Sequence, residues 1–392
     1  MKKVLVYAHQ LLPYSQTFVR DQVTAMKSWK PILIGERLEH GGLDIEALDV
    51  RVLSETGESL WERKERRVCQ WLRWPYRKDL ERLRGENAQL LHIHFATHAT
   101  LVWPYAKALN LPVLVTLHGY DINTHRNWWE AGKGGQTMRD YPEQMLRMAQ
   151  DPLVFFVAVS HAVRERAIEF GVPAEKIVVR YIGVDTKRFQ PNSIPLRERS
   201  PRVLFVGRQV EKKGTGILIR AFCEVQRCVP GAKLVIIGDG PLKEANQTLA
   251  DSLGVRAEFL GALPSEAVKA EMDRAQVFCL PSITAENGDA EGLPISILEA
   301  QASGVPVVIT KSGGSDEAIL DGVTGLCCSD HSPQQVGECL VRILSDEEKL
   351  EVMGAEARAF MLRNFDLSDC TMGLENFYSS YVARGLRAEY CP

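Results

Sequence analysis

The stretch AENGDAEGLPISILEAQASGVPVVI, residues 285–309, holds the key to the fold. Polar turn residues lead through Gly-Leu-Pro into ISILEAQAS, where Pro294 suits the first turn of a helix and Gly304 its end. PVVI follows as a short, continuous apolar run, the composition of a strand buried on both faces. Two glutamates, Glu291 and Glu299, bracket the helix start. The second lies roughly a turn and a half into the helix, ~7–8 Å further on by helical rise. Taken singly, Glu291 is explained as a helix-dipole partner and Glu299 as a solvated helix residue.

Working outward, the same alternation recurs along the chain. KVLVYA, KPILIGE, QLLHIHF, PVLVTLH, PLVFFVAVS and KIVVRYI read as strands in the first half. RVLFVGR, KLVIIGDG, AEFLGAL, QVFCLPS and PVVIT read as strands in the second. Amphipathic stretches such as TFVRDQVTAM and SHAVRERAIEF separate them, with Ser160 placed to cap the latter. Continuous apolar strands between helices predict parallel βαβ units. The pattern restarts after the polar, proline-containing FQPNSIPLRERSP, residues 189–201. The expectation is therefore two doubly wound Rossmann-like α/β domains, 1–190 and 200–367, facing a central cleft, with ligands at the carboxyl ends of the strands.

Bulk properties agree with such a fold and exclude several classes. The 392 residues are 45% hydrophobic and 25% charged, enough for two cores. A net charge of -3 gives no global attraction to nucleic acid, and no nucleic-acid-binding module is recognisable. No segment approaches the ~20 apolar residues of a membrane span. MKKVLVYAHQ ends too soon for a signal peptide and reads as a first strand. Nine scattered cysteines without zinc spacing point to a reduced, cytoplasmic protein.

The strand-end loops carry the chemistry. RVLFVGRQVEKKGTG places Arg208 and Lys213 ahead of a helix, where two cations and oriented N–H groups suit a pyrophosphate; a solvated basic turn is the plain alternative. Gly238, Asp239 and Gly240 make another tight turn, without the GxGxxG spacing of a dinucleotide site, and there is no P-loop. With a phosphate at the 294–304 helix start, Glu291 and Glu299 become acceptors on either side of it. A nucleotide sugar needs one acceptor for sugar hydroxyls and one for ribose hydroxyls, with cations for the diphosphate between them.

EGLPISILEAQASGVPVVITKSGGSDEAILDGVTG resembles the signature of the family-4 retaining glycosyltransferases of the GT-B fold. The resemblance extends through FVGRQVEKKG, VIIGDGP, FLGALP and YIGVD, and thins to SQTFVRDQV, HIHF and TLHGYD in the first half, which are similar to members that build bacterial exopolysaccharide and lipopolysaccharide. It implies that Arg208 and Lys213 hold the donor diphosphate, Glu291 the transferred sugar and Glu299 the ribose. Backbone groups near Leu263 would meet the base, and Gly292 and Leu293 the sugar or phosphate. His118 would reach the donor sugar across the cleft, with Asp121 nearby; Ser15, Gln16 and Thr17 would stand in for the paired glycines that many relatives carry. The segment from about residue 368 would be the helix that crosses back to the first domain. The resemblance further implies front-face attack without a protein nucleophile or metal, using leaving-group stabilisation by the cations. No cofactor is expected.

HIHFATH offers His92, His94 and His98, but with no carboxylate or cysteine companion the reading is strand-end packing rather than a metal site. Residues 61–87 combine basic side chains with Trp61, Trp71, Trp74 and Tyr76. Two readings stand: a segment resting on anionic lipid, or a surface helix broken at Pro75 whose aromatics pack onto the first domain. Its apolar positions make no single clean stripe by inspection. The resulting expectation is a cytoplasmic hexosyltransferase, peripheral on the inner face of the membrane in the first of these readings. It would use a nucleotide diphosphate sugar and a glycan or polyprenyl-linked glycan. A sugar-nucleotide epimerase and a non-catalytic sugar-nucleotide-binding subunit are the rivals.

Overall fold

The computed structural model describes residues 1–11, 16–38, 42–54 and 59–388. The chain forms two compact units: unit 1 holds residues up to Ile182 together with those from Leu367 on, and unit 2 spans Gly183–Asp366.

Unit 1 is a seven-stranded sheet of β1 (Lys2–Tyr7), β2 (Trp29–Gly35), β3 (Val50–Val52), β4 (Leu90–His94), β5 (Val113–Leu117), β6 (Val154–Ala158) and β7 (Ile177–Val179). The order is β3-β2-β1-β4-β5-β6-β7 and every pairing is parallel. Unit 2 is a six-stranded sheet of β8 (Arg202–Val206), β9 (Lys233–Ile237), β10 (Ala257–Gly261), β11 (Val277–Leu280), β12 (Val307–Thr310) and β13 (Gly325–Cys328), in the order β10-β9-β8-β11-β12-β13, again all parallel. Central strands such as VFCL and VVIT are buried at every position, the signature of a sheet covered on both faces. In each sheet the order reverses beside the first strand, at β1 and at β8, which opens a crevice outside the strand ends.

Unit 1 carries the helices α1 (Thr17–Ala25), α2 (Leu60–Leu72) and α3 (Ala96–Leu109), unit 2 carries α4 (Thr215–Cys228) and α5 (Ile295–Ala302), and α6 (Leu367–Ala388) is the last helix of the chain. Pro294 is the residue before the first turn of α5, one position outside its expected place, and Gly304 follows the helix with φ +72°. Ser160 caps the helix His161–Phe170 by accepting the Val163 N–H. The α6 helix belongs to unit 1, where Glu375 accepts the N–H groups of Lys27, Ser28 and Trp29 at 3.0, 2.7 and 2.8 Å. Tyr378 and Tyr381 enter the same apolar core as Trp29 and Leu33.

Two features depart from expectation. The proline-containing stretch 189–201 is no tether: unit 2 begins at Gly183, and Arg199 donates to the carbonyls of Ala275 (2.8 Å) and Ile194, with Phe189 and Leu196 buried. The helix α2 is turned inside out. Against the expectation of no single stripe, Leu60, Trp61, Val68, Trp71 and Leu72 share one arc of about 120° once the helix is bounded at 60–72, and that arc faces solvent, with Trp61 81% and Trp71 79% exposed. Trp74, just beyond, is 65% exposed. The reading that these aromatics pack onto the domain is therefore wrong for the three tryptophans; only Tyr76 is buried. The opposite face is held by a polar anchor. Buried Arg66 pairs with buried Asp79, donates to the Leu53 carbonyl at 2.9 Å and lies 4.6 Å from the Tyr76 ring centroid.

Candidate active site

In unit 2 the loops after β8 and β11 meet at the point where the strand order reverses. The chain leaves β8 through Gly207, Arg208 and Gln209, and Gln209 N–H bonds the Asp239 carbonyl at 2.9 Å, tying this loop to the one after β9. A short turn, Glu211–Lys213, then enters α4 through Gly214. A Cβ there would lie 1.8 Å from the Pro281 carbonyl oxygen, so only glycine lets this turn approach the end of β11. That approach brings Lys213 to Glu291, Nζ to Oε1 at 2.8 Å, although 78 positions separate them in sequence. Ser282 donates to the same oxygen at 2.8 Å. The other oxygen, Oε2, has no hydrogen-bond partner among the described residues.

The electrostatics follow from this packing. Burial works to raise the pKa of Glu291, but Lys213 and Lys212 outweigh it and hold the carboxyl below its ordinary value. Glu291 is thus an ionised acceptor with one committed oxygen and one open one. Beside it Lys212 pairs with Asp289 at 3.0 Å, where burial prevails and raises the Asp289 pKa. Neither this second pair nor Ser282 was singled out from sequence; a hydroxyl just past a buried strand end was the available signal. The loop after β12 locks Glu291 from behind. Gly314 N–H donates to its carbonyl at 3.0 Å, and Gly313, at φ +55°, leaves no room for a side chain, since a Cβ would stand 1.9 Å from that carbonyl oxygen.

Arg208 is exposed at the end of β8 and makes no ion pair or side-chain hydrogen bond among the described residues. The backbone N–H groups of Gly292 and Leu293 are likewise without acceptors among them. Glu299 is half-buried within α5, and Leu263 sits on the loop that follows β10. All of these occupy the carboxyl-end side of one sheet.

The unit 1 residues form a separate group. His118 follows β5, half-buried, with Nε2 3.0 Å from Nδ1 of His94 and the two rings stacked at 5.2 Å. Burial, with the neighbouring imidazoles second, pushes both pKa values well down, so both rings are neutral. Asp121 is fully buried and its carboxylate is spent on the backbone, accepting from Ala96, His118 and Gly119 at 2.9–3.1 Å. It organises the loops after β4 and β5. Burial raises its pKa to about 6 despite those bonds. Gln16 precedes the first turn of α1 with its side-chain oxygen buried and without a partner among the described residues, while Ser15 lies outside them. His92 bridges Thr116 and Tyr378 at 2.7 and 2.6 Å, and among the described residues no three His, Cys, Asp or Glu side chains are arranged to hold a metal ion.

Comparison with known proteins places this arrangement in a family. Residues 186–360 match the model for glycosyl transferases group 1, and residues 46–188 that for glycosyltransferase family 4. The GDP-mannose-dependent alpha-(1-6)-phosphatidylinositol monomannoside mannosyltransferase of Mycolicibacterium smegmatis is 32% identical over 300 residues, 73% of this chain and 75% of the relative. The chain belongs to the family 4 glycosyltransferases. The enzyme of the same name from Mycobacterium tuberculosis is 34% identical over 261 residues, and the chain spans 64% of that relative's length, as it also does of its own. The amylovoran biosynthesis glycosyltransferase AmsK of Erwinia amylovora is 31% identical over 280 residues, 71% of this chain and 66% of AmsK. Among solved structures, Anabaena HepE in complex with UDP and glucose superposes with a TM-score of 0.79 at 19% identity, covering 97% of this chain and all of HepE. The two Rossmann-like units are thus those of the GT-B fold.

Proposed function

We propose that the chain is a retaining, metal-independent hexosyltransferase that moves a sugar from a nucleotide diphosphate to a lipid-linked or surface glycan. The observation that carries this reading is the set of groups at the β8/β11 reversal: an Arg208 and a Glu291 oxygen that have no partner among the described residues, and a Lys213 held by Glu291. In this reading Arg208 and Lys213 meet the diphosphate and stabilise its charge as it leaves, together with the free N–H groups of Gly292 and Leu293. The open Oε2 of Glu291 accepts from a sugar hydroxyl, Glu299 accepts from the ribose, and backbone near Leu263 meets the base. His118, uncharged, hydrogen-bonds the sugar and takes no proton from the acceptor. Gln16 and Ser15 remain candidates for the phosphate side.

The solvent-facing tryptophans of α2, with Arg63, Lys64 and Arg67 on the same helix, support an anionic membrane surface as the place where a lipid-linked acceptor is met. No helix among the described residues is long and apolar enough to cross a membrane. Vesicles rich in phosphatidylglycerol should retain the protein, neutral vesicles should not, and Trp61→Ser with Trp71→Ser should abolish retention.

The donor site is tested by thermal stabilisation with UDP, GDP, ADP, dTDP and their sugars. One nucleotide should stand out, by about 2.7 kcal/mol at a hundredfold excess over Kd, and Glu299→Ala should weaken it. No shift with any nucleotide would remove the donor-site reading. Incubation of the selected sugar nucleotide with and without a lipid-linked glycan, in EDTA, then separates transfer from epimerisation, and the anomeric configuration of the product decides retention.

A further inference from the structure

His94 lies at the end of β4 and His118 just past the end of β5, the neighbouring parallel strand. His94 is 1% exposed and its Nε2 has no hydrogen-bond partner among the described residues, while its Nδ1 is 3.0 Å from Nε2 of His118. The remaining ring nitrogen of His118, Nδ1, has no partner among them either and is left open for a ligand, the residue as a whole being half-buried. Phe95 and Phe18 stand against the His118 ring at 4.4 and 4.9 Å between centroids. Phe95 itself has φ +71°, a left-handed backbone that a residue with a bulky side chain adopts only where its surroundings impose it.

Both imidazoles are neutral, so each carries one N–H and the shared hydrogen bond has two forms. If His118 donates from Nε2, His94 carries its proton on Nε2 and buries an N–H with no acceptor. If His94 donates from Nδ1, its Nε2 is a bare lone pair and no N–H is orphaned. Buried orphan N–H groups are the rarer defect. The second form leaves the proton of His118 on its open nitrogen.

We propose that His94, which touches no ligand, is a positioning residue: it fixes His118 as the Nδ1–H tautomer, so that the open nitrogen donates a hydrogen bond to an oxygen of the donor sugar, while Phe95 sets the plane of the ring. This rests on the reading that His118 meets the sugar. The wrong tautomer would present a lone pair, which a ring oxygen of the sugar cannot satisfy and a hydroxyl could meet only by turning its own O–H toward it. The strain at Phe95 then has a consequence, because a ring held against Phe95 and His94 together keeps one orientation.

Ring 15N NMR of the full chain reads the tautomer directly and without substrate. The wild type should show His118 protonated on Nδ1 and His94 on Nδ1. His94→Asn, whose amide N–H replaces Nδ1–H, should preserve that state, and His94→Phe should leave His118 as a mixture. A wild-type His118 protonated on Nε2 would overturn the assignment, and this measurement needs no variant to fold. In the transfer reaction, using the sugar nucleotide selected by thermal shift, His94→Phe should lower kcat about tenfold, the value of one ordinary hydrogen bond. Nucleotide binding should be unchanged, His94→Asn should restore turnover, and the loss should vanish in a His118→Ala background. If His118→Ala leaves turnover intact, the sugar contact falls while the tautomer result still stands or fails by NMR. If His118→Ala is impaired and His94→Phe is not, the positioning role falls and the sugar contact survives.

Discussion

Lowering the pH from 7 to 5 should destabilise unit 1, and the structure sets the size of the loss. His92 and His98 are buried neutral, with pKa values brought down from 6.5 to about 3 and about 4, chiefly by burial. The unfolded chain therefore binds protons that the native one refuses. Stability falls as pH drops below 6.5, until the native values are reached. Each of the two groups loses about 2 kcal/mol between pH 7 and 5. Asp121 works in the opposite sense: its native pKa of about 6 exceeds the usual 3.8, so its burial cost is relieved as pH falls through 6. That returns roughly 1 kcal/mol over the same interval. The balance is a loss of roughly 2–3 kcal/mol, a large share of a domain's total stability. His9, His94 and His118, also held low by burial, add to it. All seven tryptophans lie between positions 29 and 129, so tryptophan fluorescence during urea unfolding reports on unit 1 alone. His98→Asn keeps a donor for the His94 carbonyl, which His98 Nδ1 reaches at 3.1 Å, and cannot titrate. It should recover about 2 kcal/mol of the pH-dependent loss. Equal midpoints at pH 7 and 5, or an undiminished loss in His98→Asn, would refute the view that these imidazoles are neutral by burial.

Three further outcomes follow from single contacts. Lys213→Ala strands the buried Glu291 carboxylate and should cost unit 2 about 3 kcal/mol, seen as a lowered calorimetric transition, and nucleotide should no longer raise it. Arg66→Ala leaves buried Asp79 without its guanidinium and should cost roughly 3–5 kcal/mol by urea unfolding, whereas Arg66→Met with Asp79→Leu should recover most of it. Gly313→Ala puts a side chain against the Glu291 carbonyl at a left-handed φ, so a penalty of about 1–3 kcal/mol is expected, with nucleotide-sugar stabilisation lost in the same calorimetric scans.

Much of the fold was legible because buried parallel strands write themselves as unbroken apolar runs. Eleven such runs were readable for this reason; of the strands that escaped, β3 and β13 are short sheet edges, and Gln10–Leu11 and Arg37–Leu38 form only a two-residue ladder. Val50–Val52 is half-buried throughout, so it carries no continuous apolar run. The stretch 189–201 looked like a linker because its composition is polar, and composition is silent about Arg199 finding the carbonyls of Ala275 and Ile194. Trp61, Trp71 and Trp74 show the same limit from the other side. A helix presents an apolar arc in sequence whichever way it faces, and only the Arg66–Asp79 anchor settles that α2 turns it to solvent.

By itself the sequence determined the class of fold, the family, and which loops stand at the strand ends, because periodicity, glycine turns and the Glu-x7-Glu spacing are local. Tertiary structure alone decided how those groups are charged and what remains free. Lys213 and Glu291 meet only because Gly214 and Gly313 let three loops close on one another. Asp121 is a backbone clamp, since three N–H groups converge on it from two strand ends. His94 sets beside His118 only when β4 and β5 pair in register. Protonation, tautomer and free valence depend on burial and on neighbours distant in the chain, so they arise only once the chain has folded.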